Sequence, residues 1–138
     1  MIVVDTNVLA YHWLPGRRAS ATEALARLDM EWAAPLLWRS EFRNVLAGYI
    51  RSGRLSVAEA ERAVRHAASS LLGGEHVVAD EAVLGLVTRS KCSAYDCEFV
   101  ALADALNTVL VTDDKALLAA FPKLCRSLDD AIQGRLPS

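Results

Sequence analysis

The sequence lacks a basic surplus: 15 Lys and Arg stand against 17 Asp and Glu, a formal net charge of -2. A simple basic nucleic-acid binder carries a strong positive excess, so that class is disfavoured. Cysteine is scarce. Cys92, Cys97 and Cys125 are odd in number and have no Cys-x-x-Cys spacing, so neither a zinc cage nor a disulfide framework is implied. Reduced thiols in a cytoplasmic protein are expected. His12, His66 and His76 are scattered and form no His-x-x-x-His pair. No apolar run approaches the ~18 residues of a membrane helix. Met1-Ile2-Val3-Val4 is broken at once by Asp5 with no basic stretch before it, so neither a signal peptide nor a membrane partner is expected.

What is present is an apolar chain of 138 residues, 53% of them hydrophobic. That length predicts one domain over residues 1–138, large enough to bury a core without disulfide or structural metal. The apolar excess predicts surface reserved for a partner or a second copy.

Short apolar runs alternate with helical patterns. Ile2-Val3-Val4, His76-Val77-Val78 and Val109-Leu110-Val111-Thr112 read as buried strands; Trp32-Ala33-Ala34 and Cys125-Arg126-Ser127 are weaker examples. Ser20-Ala21-Thr22-Glu23 and Ser56-Val57-Ala58-Glu59 read as capping boxes that open helices to about 28 and 72. Pro35 is expected to open a helix to about 52. Further helices are expected over 80–89, 93–106 with Asn107 as a left-handed stop, 115–121 and 128–133. Two helices between Pro35 and Ser93 are expected to form a hairpin standing off the sheet. Alternation of this kind predicts an α/β fold with a mainly parallel sheet of four or five strands and helices on both faces. In such a sheet the crevice lies at the carboxyl ends of the strands.

Acids occupy those positions. Asp5 leaves the first strand, and Asp113 and Asp114 leave the strand ending at Thr112. No Lys or Arg lies within ten residues of Asp5, so no local ion pair is available to it. Glu41 is read as mid-helix, between Leu37 and Trp38 on one side and Asn44 and Val45 on the other. That spacing puts it on the apolar face, with Arg39 and Arg43 rotated away. Asp96 lies in the first turn of the helix opened by Ser93. Each aspartate, taken singly, also fits a helix-capping role. Together, carboxylates converging on one crevice repel in a low dielectric unless a cation fills the site. Oxygen ligands without His or Cys point to Mg2+ or Mn2+, and that metal points to phosphodiester hydrolysis.

Val3-Val4-Asp5-Thr6-Asn7, the lone Glu41, Tyr95-Asp96 leading into Phe99-Val100-Ala101, and Leu110-Val111-Thr112-Asp113-Asp114 together resemble the PIN-domain nucleases. Size and motif order look most like the VapC-type toxins of toxin–antitoxin pairs. The resemblance implies a three-layer α/β/α fold and a Mg2+- or Mn2+-dependent endoribonuclease. It implies four acidic catalytic residues, carried onto Asp5, Glu41, Asp96 and Asp114, with Asp5, Asp96 and Asp114 as metal ligands. The family's Thr-x-Asp pattern selects Asp114 over Asp113, which fills the variable position and could help through water. Asn7 and Thr112 match supporting polar positions. The resemblance also implies an RNA substrate, a homodimer and an antitoxin over the groove. Arg17, Arg18, Arg39, Arg43 and Lys115 are basic residues available for phosphate contacts.

Two other functions compete. A haloacid-dehalogenase-like phosphatase also uses a strand-end Asp and Mg2+, but needs a second acid two residues on, where this chain has Asn7. A catalytically inactive PIN-like module that only binds RNA or protein would not need the acid cluster. Setting aside Asp5, Glu41, Asp96, Asp113 and Asp114 leaves 12 acids against 15 bases, so the remainder of the chain is mildly basic.

Overall fold

The computed structural model describes residues 1–16, 18–29 and 31–134. The elements run β1 (Ile2–Val4), α1 (Thr6–Trp13), α2 (Ala19–Leu28), β2 (Trp32–Pro35), α3 (Trp38–Arg51), α4 (Val57–Ser70), β3 (Glu75–His76), α5 (Asp80–Val87), α6 (Ala94–Ala105), β4 (Leu110–Val111), α7 (Lys115–Ala120), β5 (Cys125–Arg126) and α8 (Leu128–Ile132). The five strands form one sheet in the order β3-β2-β1-β4-β5. Every pairing is parallel, with Val3 opposite both Ala33 and Leu110. This is the α/β/α architecture that the sequence pattern predicts.

The strands are short, and the central ones are buried throughout. Ile2, Val3 and Val4 are each at most 1% exposed, which explains why they read as a continuous apolar run rather than an alternating one. Helix α6 packs across β1, β2 and β4, while α1 packs against α2, α3 and α4. Trp38, Phe42, Leu9, Leu25, Phe99 and Leu110 fill the space between. The hairpin expected after Pro35 is α3 packed on α4.

Local chemistry sets several boundaries as the sequence predicts. Ser56 opens α4 with a complete capping box: its hydroxyl accepts from the Glu59 N–H at 3.1 Å, and its own N–H donates to Glu59 Oε1 at 3.0 Å. Asn107, just past α6, adopts φ 55°, the left-handed stop expected there. Gly74 is required by close approach: a Cβ there would collide with the Trp32 carbonyl where β3 meets β2.

The buried strand expected over His76-Val77-Val78 is instead Glu75–His76, half-buried, with Val77 exposed, and two helix starts are also corrected. Pro35 ends β2 instead of opening a helix. The N–H groups of Ala34 and Leu36 on either side of it donate to Gly74 and His76, so its missing N–H removes no bond of that ladder. Helix α3 starts three residues later, at Trp38. Likewise Ser20 lies inside α2, which begins at Ala19 without a side-chain cap. The fully buried Thr22 donates to the Ala19 carbonyl at 3.0 Å and sits 3.1 Å from His12 Nδ1, so tertiary contacts set that helix start.

Candidate active site

The strand order places β1 between β2 and β4, so the chain leaves β1 and β4 at the switch point of the sheet. Asp5 is the first residue after β1 and caps α1: its Oδ1 accepts the Thr6 N–H at 2.7 Å. Asp114 caps α7 in the same way, its Oδ1 accepting the Leu117 N–H at 3.0 Å. Ser93 caps α6 by accepting the Asp96 N–H at 3.1 Å. For α1 and α7 the capping function and the crevice are one arrangement, because helices that follow parallel strands start where those strands end; α6 follows α5 and brings Asp96 to the same crevice from its own first turn.

Glu41 stands in the first turn of α3, not in mid-helix. Its Oε1 accepts the Thr6 hydroxyl at 2.7 Å. All four acids thus lie at the starts of helices that open onto one end of the sheet. The partial positive charge of a helix N-terminus favours a carboxylate and offers free N–H groups to anions.

Asp5, Glu41, Asp96 and Asp114 line a single cavity of about 390 Å3, together with Thr6, Asn7, Leu37, Ser40, Asn44, Val45 and Tyr95. Leu37, Asn44 and Val45 are the helical neighbours that the spacing around Glu41 puts on its face. Burial pushes Asp5 above the ordinary carboxylate range; bonds from the Thr112 hydroxyl and the Thr6 N–H oppose this, and the Asp96 and Asp114 charges add to it. Burial raises Glu41 as well, opposed by the Thr6 bond and increased by Asp5, Asp96 and Glu98. Asp96 is raised by burial and by Asp114, with Ser93 opposing. Among the described residues no ion pair reaches any of the four. Nor, among those residues, are three His, Cys, Asp or Glu side chains already gathered tightly enough to hold an ion; Asp5 and Glu41 are instead drawn onto hydroxyls.

Thr112 is fully buried and ties two of the acids. Its hydroxyl donates to Asp5 Oδ2 at 2.6 Å and accepts the Asp114 N–H at 3.0 Å. Asn7 lines the cavity.

The sequence matches the PIN domain family over residues 2–124. The chain belongs to the PIN-domain family. Within it, 122 residues are 34% identical to the VapC ribonuclease Mb0985 of Mycobacterium bovis and to ribonuclease VapC9 of Mycobacterium tuberculosis, covering 85% of this chain and 88% of each relative. These matches place it among the VapC-type members. The crystal structure of PAE2754 from Pyrobaculum aerophilum superimposes with a TM-score of 0.76 at 22% identity, covering 96% of this chain and 94% of that one; the likeness is one of fold.

Other residues singled out for this PIN domain lie elsewhere. Asp113 is outside the cavity lining. Its Oδ2 is 3.0 Å from Arg18 Nη2, and its Oδ1 accepts the Leu128 N–H at 3.0 Å, so it ties the start of α8 to the loop after β4. Arg18 also reaches Asp129 at 3.4 Å. Arg39 forms a two-pronged bond to Glu75, 2.8 Å at each contact, and both stand away from the cavity lining. Arg43 borders a separate hollow between α3 and α4. Lys115 is exposed beside Asp114. Arg17 lies outside the described residues. Residues that the sequence reading passed over are Ser40 and Thr6. The signal for Thr6 is its position as the first residue of α1, directly after the strand-end acid.

Proposed function

We propose that this protein is a VapC-type endoribonuclease, the toxin of a toxin–antitoxin pair, acting with Mg2+ or Mn2+. One observation carries the reading: four carboxylates from four segments line one cavity with no basic partner among the described residues. A fold gains nothing from such repulsion, whereas a phosphodiester hydrolase uses it to recruit a cation. The ribonuclease names of the mycobacterial relatives give the substrate class.

The donor set fits a hard divalent ion: every available group is a carboxylate oxygen, and Asp5, Asp96 and Asp114 would hold it. When bound, it supplies charge neutralisation at the phosphate and acidifies water. Among the described residues Glu41 Oε2 has no partner, while Oε1 is held by Thr6. Its raised proton affinity suits it to accept the proton of the attacking water. Thr112 and Thr6 fix the orientation of Asp5 and Glu41, so little is reorganised as charge develops. The starts of α1, α3 and α6 favour the carboxylates that stand there, and attraction of the phosphate is left to the bound cation.

The toxin reading brings an antitoxin that covers the cavity, a homodimer and a cytoplasmic setting. Exposed Leu36, Val77 and Leu84 supply apolar surface for such contacts. Among the described residues no helix is long and apolar enough to cross a membrane. The test is cleavage of single-stranded RNA in Mg2+ or Mn2+: the wild-type chain cuts and Asp114→Asn does not. Equal activity of the two would remove the reading.

A further inference from the structure

A second hollow continues from the acid cavity along the seam between α1 and α3. Asn7 and Val45 line both. The second hollow, about 250 Å3, also has Tyr11, Tyr49 and Arg18 in its walls and closes at the turn over residues 14–16. Tyr11 follows Asn7 by four residues on α1, and Tyr49 follows Val45 by four on α3. Each helix therefore offers a phenol ring about 6 Å, one turn, below its cavity residue.

An arginine lies over each ring. The Arg18 guanidinium lies 5.9 Å from the Tyr11 centroid, and Arg54 lies 4.1 Å from the Tyr49 centroid. Neither phenol hydroxyl nor the Asn7 side-chain amide bonds to another described residue. Arg18 is already paired with Asp113 and Asp129, so the end of the hollow is poorly suited to a second phosphate. Flat rings, unpaired donors and acceptors and an apolar floor instead match an unstacked base, whose face stacks and whose edge hydrogen-bonds.

We propose that this groove seats the unpaired nucleobase adjoining the scissile phosphate, and that Tyr11 and Tyr49 bias which RNA sequence is cut. The proposal rests on the endoribonuclease reading above. A phosphate held at the acids puts its neighbouring base within reach of a groove one helical turn away.

The test uses a short single-stranded oligoribonucleotide containing a cleavage site mapped with the wild-type chain. Binding is measured with full-length Asp114→Asn, which is expected to hold RNA without cutting it. Adding Tyr49→Leu should weaken binding about tenfold or more, the loss expected when one base-stacking ring is removed. Tyr49→Phe, which keeps the ring, should bind within a few-fold of the parent. Replacing the base beside the cut by an abasic residue should cause a similar loss. Combining the abasic RNA with Tyr49→Leu should add little further, because both remove one contact. Losses that multiply, or unchanged RNA affinity in Tyr49→Leu, overturn the base site. Unchanged RNA affinity with weaker binding of the antitoxin would assign the groove to protein instead. If the wild-type chain neither binds nor cuts any single-stranded RNA, the endoribonuclease reading fails and the base site with it.

Discussion

The hydroxyl of Thr112 sits 2.6 Å from Asp5 Oδ2 and donates to it, although the two residues are 107 positions apart. The same oxygen accepts the Asp114 N–H at 3.0 Å. One buried hydroxyl thus fixes the acids that leave β1 and β4. Thr112→Val keeps the volume and removes both bonds. Asp5 loses the bond that most opposes its raised proton affinity. The expected outcome is a stability loss of about 1–3 kcal/mol in denaturant unfolding, with cleavage falling and its pH profile moving upward. Thr112→Ser should restore most of both. A Val variant with wild-type stability and pH profile would show that the hydroxyl is not a tie.

Asp96→Asn should raise stability at neutral pH. Asp96 is raised by burial and by the Asp114 charge, so its ionised form is less favourable in the folded chain than in the unfolded one. That cost is present above the folded pKa and absent below the ordinary value of 3.8. The advantage of the variant should therefore vanish as the pH falls through the carboxylate range. Mg2+ or Mn2+ should raise the melting temperature of the wild type more than that of the variant. A loss of ~1 kcal/mol with an unchanged metal response would mean that Asp96 serves its helix start alone.

How much of this was legible in the sequence follows from the range of the interactions. Ile2-Val3-Val4, the Ser56 box and the Asn107 stop depend on neighbours a few residues away, and the structure has them as the pattern predicts. Pro35 fits the first turn of a helix and the end of a strand equally well in local terms; only its place between the donors Ala34 and Leu36 decides. The places of Asp5 and Asp114 were legible because strand exits in a parallel sheet share one end, and that of Glu41 because its helical neighbours Leu37 and Val45 mark its face. The destinations of the arginines were not. Arg39 finds Glu75 across 36 residues, and Arg18 finds Asp113 across 95, pairings that no local spacing encodes. The Tyr11–Tyr49 groove escaped for the same reason.

Asp113 and Asp114 are adjacent but should behave differently. Asp114→Asn keeps a good helix cap and should abolish cleavage with little change in melting temperature. Asp113→Ala leaves the Leu128 N–H without its acceptor and Arg18 with Asp129 alone and should cost about 1–2 kcal/mol while reducing cleavage less. Parallel melting and nuclease assays check both. The reverse order of activity would place the wrong aspartate in the site.

Glu75 should matter for folding alone. Its Oε2 accepts the indole N–H of fully buried Trp38 at 2.9 Å, and the Arg39 bond holds its carboxyl below the ordinary range, with burial opposing and Trp38 adding. Glu75→Leu strands the indole and should cost about 1–3 kcal/mol. The Arg39 ion pair adds little because its side chain is 38% exposed. A lowered carboxyl pKa stabilises above the ordinary value of 4.5 and is lost as the pH falls through the folded pKa. The wild type should therefore lose its advantage over Glu75→Gln only in that acidic window. Arg39→Ala should cut RNA at the wild-type rate; a large loss of activity would return Arg39 to the substrate path.

We propose cation-dependent RNA cleavage at the cavity of Asp5, Glu41, Asp96 and Asp114. Its most direct test is one nuclease assay on single-stranded RNA with purified wild type and Asp96→Asn, each in Mg2+ or Mn2+ and again with excess chelator. The wild type should cut only when cation is present, and an Asp96→Asn chain that melts at or above the wild-type temperature should not cut. Equal cutting by both chains, or cutting that survives the chelator, would contradict it.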